Sequence, residues 1–189
     1  NIPGITMNLA VGSGADRYSL WTADFDNLPL GYDITALDTR ETLDPSDDRA
    51  WGVLCVDWRT GMSPGTYTDI EIHSSLYPEN LPSYVANQSI PWGSINWVAN
   101  HLDDYPTATW QDIQQAVWCI EDGVSVGNGS EDYPQNHPGS ADADDVELVK
   151  SIITAAEGNT NYVPMPGGWA AVILHNGSVS QSIFTIVDP

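Results

Sequence analysis

Two cysteines and a glutamine are the residues whose types and spacing could form a covalent bond within the chain. Cys55 lies in the apolar run Trp51–Trp58, and Gln114 and Cys119 lie in the later run Thr109–Cys119. Cys55 could form a disulfide with Cys119, which would stabilise the fold by about 4 kcal/mol on the chain-entropy model. Alternatively, its thiolate could attack the carboxamide of Gln114, expel ammonia and form an internal thioester. A thioester would be an electrophile for an amine on a partner surface.

Helical periodicity does not distinguish these two bonds. The second run is predicted to form a helix whose buried stripe consists of Ile113, Ala116, Val117 and Ile120. Gln114 and Cys119 lie on opposite flanks of this stripe, at similar angles from its centre. Both the disulfide and the thioester therefore stay open.

Composition and charge limit the class of partner. The chain has 189 residues, with 26 acidic residues against five basic ones and a formal net charge of -21. This length predicts a single domain, residues 1–189. Such an acidic surface is repelled by nucleic acid and by anionic lipid, and no apolar run is long enough to span a bilayer. We therefore expect neither nucleic-acid binding nor membrane insertion.

The sequence has features typical of export. It begins at Asn1 rather than Met, which we interpret as the mature end left by signal-peptide removal. Three Asn-X-Ser sequons, at Asn87, Asn128 and Asn176, are candidate glycosylation sites. We expect a secreted glycoprotein at the extracellular cell surface.

The order of apolar patterns predicts strands at both ends of the chain and helices between them. Alternating or apolar strand-like runs occur at Ile5–Val11, Ala50–Trp58, Tyr67–His73, Trp169–His175 and Val179–Val187. The last two flank Asn176-Gly177, a strong hairpin signal. The fold class we expect is mainly β with an α-helical insertion (α+β), a β-sandwich or barrel core with two to three helices in residues 91–157.

The helix boundaries are predicted from capping residues. One helix begins at Pro91, and the next begins at Thr109, where Asp112 completes a pattern like a capping box. A third helix follows Ser140 and ends at Gly158. Its first turn is acidic, which the helix dipole favours, so we attribute the acidic cluster there to helix stability rather than to calcium binding.

The Cys55-Val56-Asp57 element and the later Ile113–Trp118 helix together resemble the thioester domains of bacterial and archaeal surface proteins. That family has a Cys-X-Asp strand element and a Thr-Gln-X-Ala-X-Trp helix. The helix Ile95–His101 and the Tyr105-Pro106 loop are similar to further family elements, and the likeness spans roughly residues 49–187. The resemblance implies a single extracellular domain with a Cys55–Gln114 thioester. Ile113 departs from the usual Thr, and Cys119 is an extra thiol.

We interpret the chain as an exported, non-enzymatic surface protein with no catalytic residues. It is either an adhesin that binds a surface amine or glycan ligand, or a structural subunit that assembles with copies of itself into a filament, sheath or surface layer. In the second alternative Cys55 and Cys119 form a disulfide and no reactive bond exists. A carbohydrate-binding module is a weaker alternative. The four histidines lack metal-ligand spacing, so we predict no metal and no cofactor.

Overall fold

The structure is a computed structural model that describes residues 5–11, 21–26, 50–56, 63–86, 89–121, 145–177 and 183–187. Its strands, numbered β1 to β7, are Thr6–Val11, Trp21–Asp26, Ala50–Cys55, Gly65–Tyr67, Glu71–Ser74, Ala170–His175 and Ile183–Val187. Its helices, numbered α1 to α4, are Ser83–Ala86, Trp92–Asn100, Trp110–Glu121 and Val146–Glu157. Short 3-10 turns occur at Pro78–Asn80 and Leu102–Asp104.

The strands form an antiparallel sheet in the order β4-β1-β2-β3-β7-β6-β5. Strand β3 occupies the middle of this order and pairs with β2 on one side and β7 on the other. Its pairing with β2 runs from Ala50 to Val53, whereas its pairing with β7 involves Leu54 and Cys55. Cys55 therefore lies at the centre of the sheet, just past the last described pair with β2.

The three longer helices form where the apolar residues recur at helical spacing. Thr109 and Asp112 make the reciprocal bonds of a capping box at the start of α3, as the sequence predicts. Helix α4 begins after Asp145, whose side chain accepts a hydrogen bond from the Leu148 N–H at 3.0 Å. Gly158 follows its last residue. Among the described helices, none is long and apolar enough to span a membrane.

Two clusters of buried apolar residues hold the described elements together. The larger one joins α2, α3 and α4 to the sheet through Val56, Ala171 and Ile173. The smaller one consists of Ile5, Met7, Leu9, Val53, Ile70 and Leu174. Ile173 and Leu174 are neighbours in β6 and belong to different clusters, because successive strand residues point to opposite faces. The sheet thus buries apolar side chains on both faces.

The predicted mainly-β sandwich or barrel is wrong. Helical segments cover at least as many of the described residues as the strands do. The strands at the ends of the sheet order, β4 and β5, are not paired with each other in the part of the chain that is described, so no closed barrel forms there. The physical reason lies in the larger cluster, where helices rather than a second sheet cover the apolar face.

One local strand prediction is also wrong, and one agrees with the structure. The run Tyr67–His73 is not one strand, because Asp69 adopts a left-handed conformation (φ 56°) that separates β4 from β5. The hairpin signal at Asn176-Gly177 agrees with the structure, because strands β6 and β7 pair antiparallel, with Ala170 opposite Val187 and Leu174 opposite Ile183. Residues 178–182 of the connection lie outside the described residues.

Replacing Gly93 by Ala should destabilise the fold by about 2 kcal/mol. Gly93 lies in the first turn of α2, and a Cβ there would collide with the backbone of Thr160 and Tyr162, which follow α4. Urea unfolding of the variant measures the change. Gly158→Ala is the matched control, because Gly158 has a helical φ of -71° and its Cβ would meet only the Ala155 carbonyl at 3.5 Å. We expect the control to be neutral or more stable by about 0.5 kcal/mol; equal losses in both variants would contradict the packing argument.

Candidate functional site

The carboxamide of Gln114 forms two hydrogen bonds with the backbone of Cys55. The Cys55 N–H donates to Oε1 at 2.8 Å, and Nε2 donates to the Cys55 carbonyl at 2.9 Å. Both residues are buried, with exposed fractions of 5% for Cys55 and 4% for Gln114. Among the described residues, strand β3 stops pairing with β2 at Val53. Two residues later, the Gln114 side-chain amide makes the backbone hydrogen bonds that a neighbouring strand would otherwise make. It holds helix α3 and strand β3 in fixed register.

The position of Gln114 depends on how the start of α3 is held. Asp112 is fully buried, and its Oδ2 accepts hydrogen bonds from the backbone N–H and the hydroxyl of Thr109, both at 3.0 Å. Its Oδ1 accepts from the Asp145 N–H at 2.9 Å, at the start of α4. One carboxylate therefore fixes the first turn of α3 and ties it to α4. The sequence predicted the capping role of Asp112 but not its hydrogen bond to the Asp145 N–H.

Helix α2 is tied to the sheet by two asparagines. The Asn96 Oδ1 accepts hydrogen bonds from the Ser75 hydroxyl at 3.0 Å and from the Ala171 N–H at 2.8 Å. The Asn100 side chain exchanges two bonds with the Trp169 backbone, both at 2.7 Å. These bonds join the helix to strand β6 and to the residue before it. Helix α2 is therefore fixed to the same sheet that contains Cys55.

Cys119 lies beside a different side chain. It is fully buried, and the Nε2 of Gln115 donates to its Sγ at 3.7 Å. The Gln115 Oε1 has no hydrogen-bond donor among the described residues. The two cysteines are not bonded to each other in this structure. The geometry thus groups Gln114 with Cys55, and Gln115 with Cys119.

The surroundings of Cys55 disfavour its thiolate. Burial raises the pKa of the thiol from 9.0 to about 12, and the nearby Glu121 carboxylate adds to the rise. The thiol is therefore protonated at neutral pH, and a nucleophilic attack must release its proton during the reaction. Neutral forms of sulfur, whether thiol or thioester, suit this environment. Glu121, only 8% exposed at the end of α3, is a residue that sequence analysis missed.

The two hydrogen bonds fix the Gln114 carboxamide against the backbone of Cys55. The Cys55 N–H polarises the Oε1 carbonyl and would stabilise the negative charge that develops there during attack. The Cys55 carbonyl holds the nitrogen that must leave. The Cys55 Sγ is joined to that backbone through Cβ. Rotation about χ1 of Cys55 therefore moves the thiol relative to the Gln114 side-chain carbonyl, which the two hydrogen bonds hold in place. Attack on Gln114 would require a side-chain rotamer of Cys55 that brings Sγ to the Gln114 carbonyl carbon.

The structure describes only some of the other predicted site residues. Asn176 is partly exposed immediately after β6, whereas Asn87 and Asn128 lie outside the described residues. The described residues contain no group of three or more His, Cys, Asp or Glu side chains that could hold a metal ion. Asp57 of the Cys-X-Asp element also lies outside the described part.

Replacing Gln114 by Ala should destabilise the fold by about 3 kcal/mol, because two buried backbone groups of residue 55 lose their partners. The measurement is made in a Cys55→Ala background, where the backbone bonds persist but no thioester can form. Urea unfolding of the single and double variants gives the difference. Gln111→Ala in the same background is the control, since Gln111 lies on the same helix and is partly exposed. We expect it to change stability by less than about 0.5 kcal/mol; equal effects would contradict the role assigned to Gln114.

Of the three residues singled out from sequence, the structure brings Cys55 and Gln114 together and places Cys119 against Gln115. Both the thioester and the disulfide stay predictions, since each concerns a bond not present in this structure. Comparisons of the chain with protein-family models, with curated protein sequences and with solved structures found no match.

Proposed function

We propose that this chain is an exported, non-enzymatic adhesin domain that attaches covalently to an amine on a partner surface. The reactive group is an internal thioester between Cys55 and Gln114. It forms when the Cys55 sulfur attacks the Gln114 side-chain carbonyl carbon and the amide nitrogen leaves as ammonia, taking the thiol proton. The amine of the partner later displaces the sulfur and leaves an amide bond to Gln114.

The observation that carries the proposal is the double hydrogen bond between the Gln114 carboxamide and Cys55. It brings the electrophilic carbonyl to the residue that bears the nucleophile, and the Cys55 N–H is aimed at the oxygen where charge develops. Burial of both residues excludes water, which would otherwise hydrolyse the acyl bond. The resemblance to thioester domains rests on the same two residues.

The chain offers few amines of its own to such a bond. Lys150 is its only lysine, and its Nζ pairs with the Glu147 carboxylate at 2.9 Å on the exposed side of α4. We therefore expect the thioester to react with an amine of another molecule.

The net charge of -21 favours a basic partner. Protein amines occur mostly as lysine ammonium groups, which a strongly acidic surface attracts over a distance of about one Debye length, ~10 Å at moderate salt. Encounter with a lysine-rich surface is thus accelerated, whereas nucleic acid and anionic lipid are repelled. The negative net charge that repels nucleic acid and anionic lipid thus favours a partner that carries amines.

Incubating the native protein with a small fluorescent amine should place one label on Gln114. Digestion and mass spectrometry locate the labelled residue. Cys55→Ala should abolish the labelling, because no acyl-sulfur bond can form. Cys119→Ala should retain it, since the second thiol takes no part in the bond.

Labelling that survives in Cys55→Ala would contradict the proposal, and so would a native protein that takes up no label and whose Cys55 and Cys119 are linked. The second result would support the disulfide-bonded structural subunit instead. Circular dichroism of each variant checks that the fold is retained.

A further inference from the structure

Two uncharged segments of the chain lie against each other. Residues 80–102, which include helix α2, and residues 158–187, which follow helix α4, contain no Asp, Glu, Lys or Arg. Charged residues make up 16% of the whole chain, and most of them are acidic, so segments of this length without any depart from its composition. The parts of these two segments that lie on the surface therefore lack the negative charge of the rest of the molecule.

Helix α2 and the residues after α4 are packed closely together. A Cβ at Gly93 would collide with the Thr160 carbonyl oxygen, so the backbone after α4 passes directly over the first turn of α2. The Tyr162 ring meets the His101 ring edge-on, with centroids 5.9 Å apart, and His101 stacks on Trp97 with centroids 4.2 Å apart. Each of these three rings is partly exposed. They form one aromatic surface that the two segments share.

The segment after α4 displays two apolar side chains on a fixed turn. Val163 is 69% exposed and Met165 is 74% exposed, the highest values among the large apolar side chains of the described residues. The Gly168 N–H donates to the Met165 carbonyl at 2.7 Å, and Gly167 has the positive φ, 82°, that a type II turn needs at its third position. The backbone that carries these side chains is therefore ordered before a partner binds, which lowers the entropy cost of binding. The two side chains and the three rings together make up the uncharged surface.

The net charge of the chain indicates what this surface binds. A basic partner is attracted to the acidic remainder of the molecule rather than to the part that lacks charge. A second copy of the chain has the same net charge of -21, so two copies repel each other wherever their acidic surfaces meet. They can approach closely only where neither copy carries charge. The uncharged surface therefore fits a second copy better than it fits a lysine-rich partner.

We propose that two copies of this chain associate through the uncharged surface as a twofold symmetric pair. A twofold axis brings the same patch of both copies together, so Val163 and Met165 of each copy pack against the aromatic rings of the other. The exposed acids that adjoin the two segments, Asp103, Asp104 and Glu157, stay in solvent at the rim of the contact. The pairing does not depend on the thioester. A pair presents two reactive domains to one target, which strengthens attachment through avidity.

Sedimentation velocity of the native protein under reducing conditions tests the pairing. We expect a monomer–dimer equilibrium that reverses on dilution, and denaturing electrophoresis checks that no covalent bond links two copies. Raising the salt concentration from about 0.1 M to about 1 M should shift the equilibrium toward the dimer, because the Debye length falls from ~10 Å to ~3 Å and the repulsion between two acidic copies is screened. Association with a cationic partner would weaken over the same range.

Two substitutions by Asp locate the contact. Met165→Asp places a charge within the uncharged surface, twice in a symmetric pair, and should weaken dimerisation by about tenfold or more. Tyr77→Asp is the matched control, because Tyr77 is also a large exposed side chain, at 59%, and lies outside both uncharged segments. It makes the same change in net charge and should alter dimerisation by less than about twofold, since one exposed charge is screened by salt.

A native protein that stays monomeric at both salt concentrations would overturn the inference, and so would equal losses of dimer in the two variants. A monomer that binds a neutral polysaccharide and loses that binding in Met165→Asp would also overturn it, because the uncharged surface would then be a glycan site. Circular dichroism checks that both variants keep the fold. None of these outcomes bears on the labelling of Gln114, which tests the proposed function separately.

Discussion

The arrangement of this molecule depends on one buried contact, the pair of hydrogen bonds between the Gln114 carboxamide and the Cys55 backbone. Each bond on its own contributes a modest net free energy, but an unpaired backbone group at this depth would cost about 1–3 kcal/mol. The amide therefore fixes where α3 meets β3. The same contact brings the Gln114 side-chain carbonyl to the backbone of the residue that carries the thiol.

The surrounding polar contacts keep this pair in position. Asp112 joins the start of α3 to the start of α4, and the Ser94 hydroxyl donates to the Ala156 carbonyl, which joins α4 back to α2. Asn96 then joins α2 to strand β6. These buried bonds connect three helices to the sheet. The Gln114 acyl group would lose little conformational entropy on reaction, because these contacts already fix its orientation.

Sequence reasoning predicted the helices well and the sheet poorly. The boundary at Thr109 followed from local chemistry, because a cap and its partner lie within one turn. The break at Asp69 separates β4, which pairs with β1, from β5, which pairs with β6, so the alternation in Tyr67–His73 was misleading. The fold class was wrong for a related reason, since hydrophobic periodicity shows that a strand has a buried face but not whether a helix or a sheet covers it.

The candidate site was predictable only in part. Periodicity placed Gln114 and Cys119 symmetrically about the buried stripe, and only the packing of α3 on β3 brings Gln114 to Cys55. Glu121 carried no sequence signal, because a single acid at a helix end in a chain of 26 acidic residues is unremarkable until its burial is known.

The most direct test of the central claim is the intact mass of the native, unreduced protein, with peptide mapping around Cys55. The account predicts a mass lower by one ammonia than the sequence requires, with Cys55 linked to Gln114. A deficit of two hydrogens with Cys55 linked to Cys119 would contradict it, and so would the full sequence mass with both thiols free.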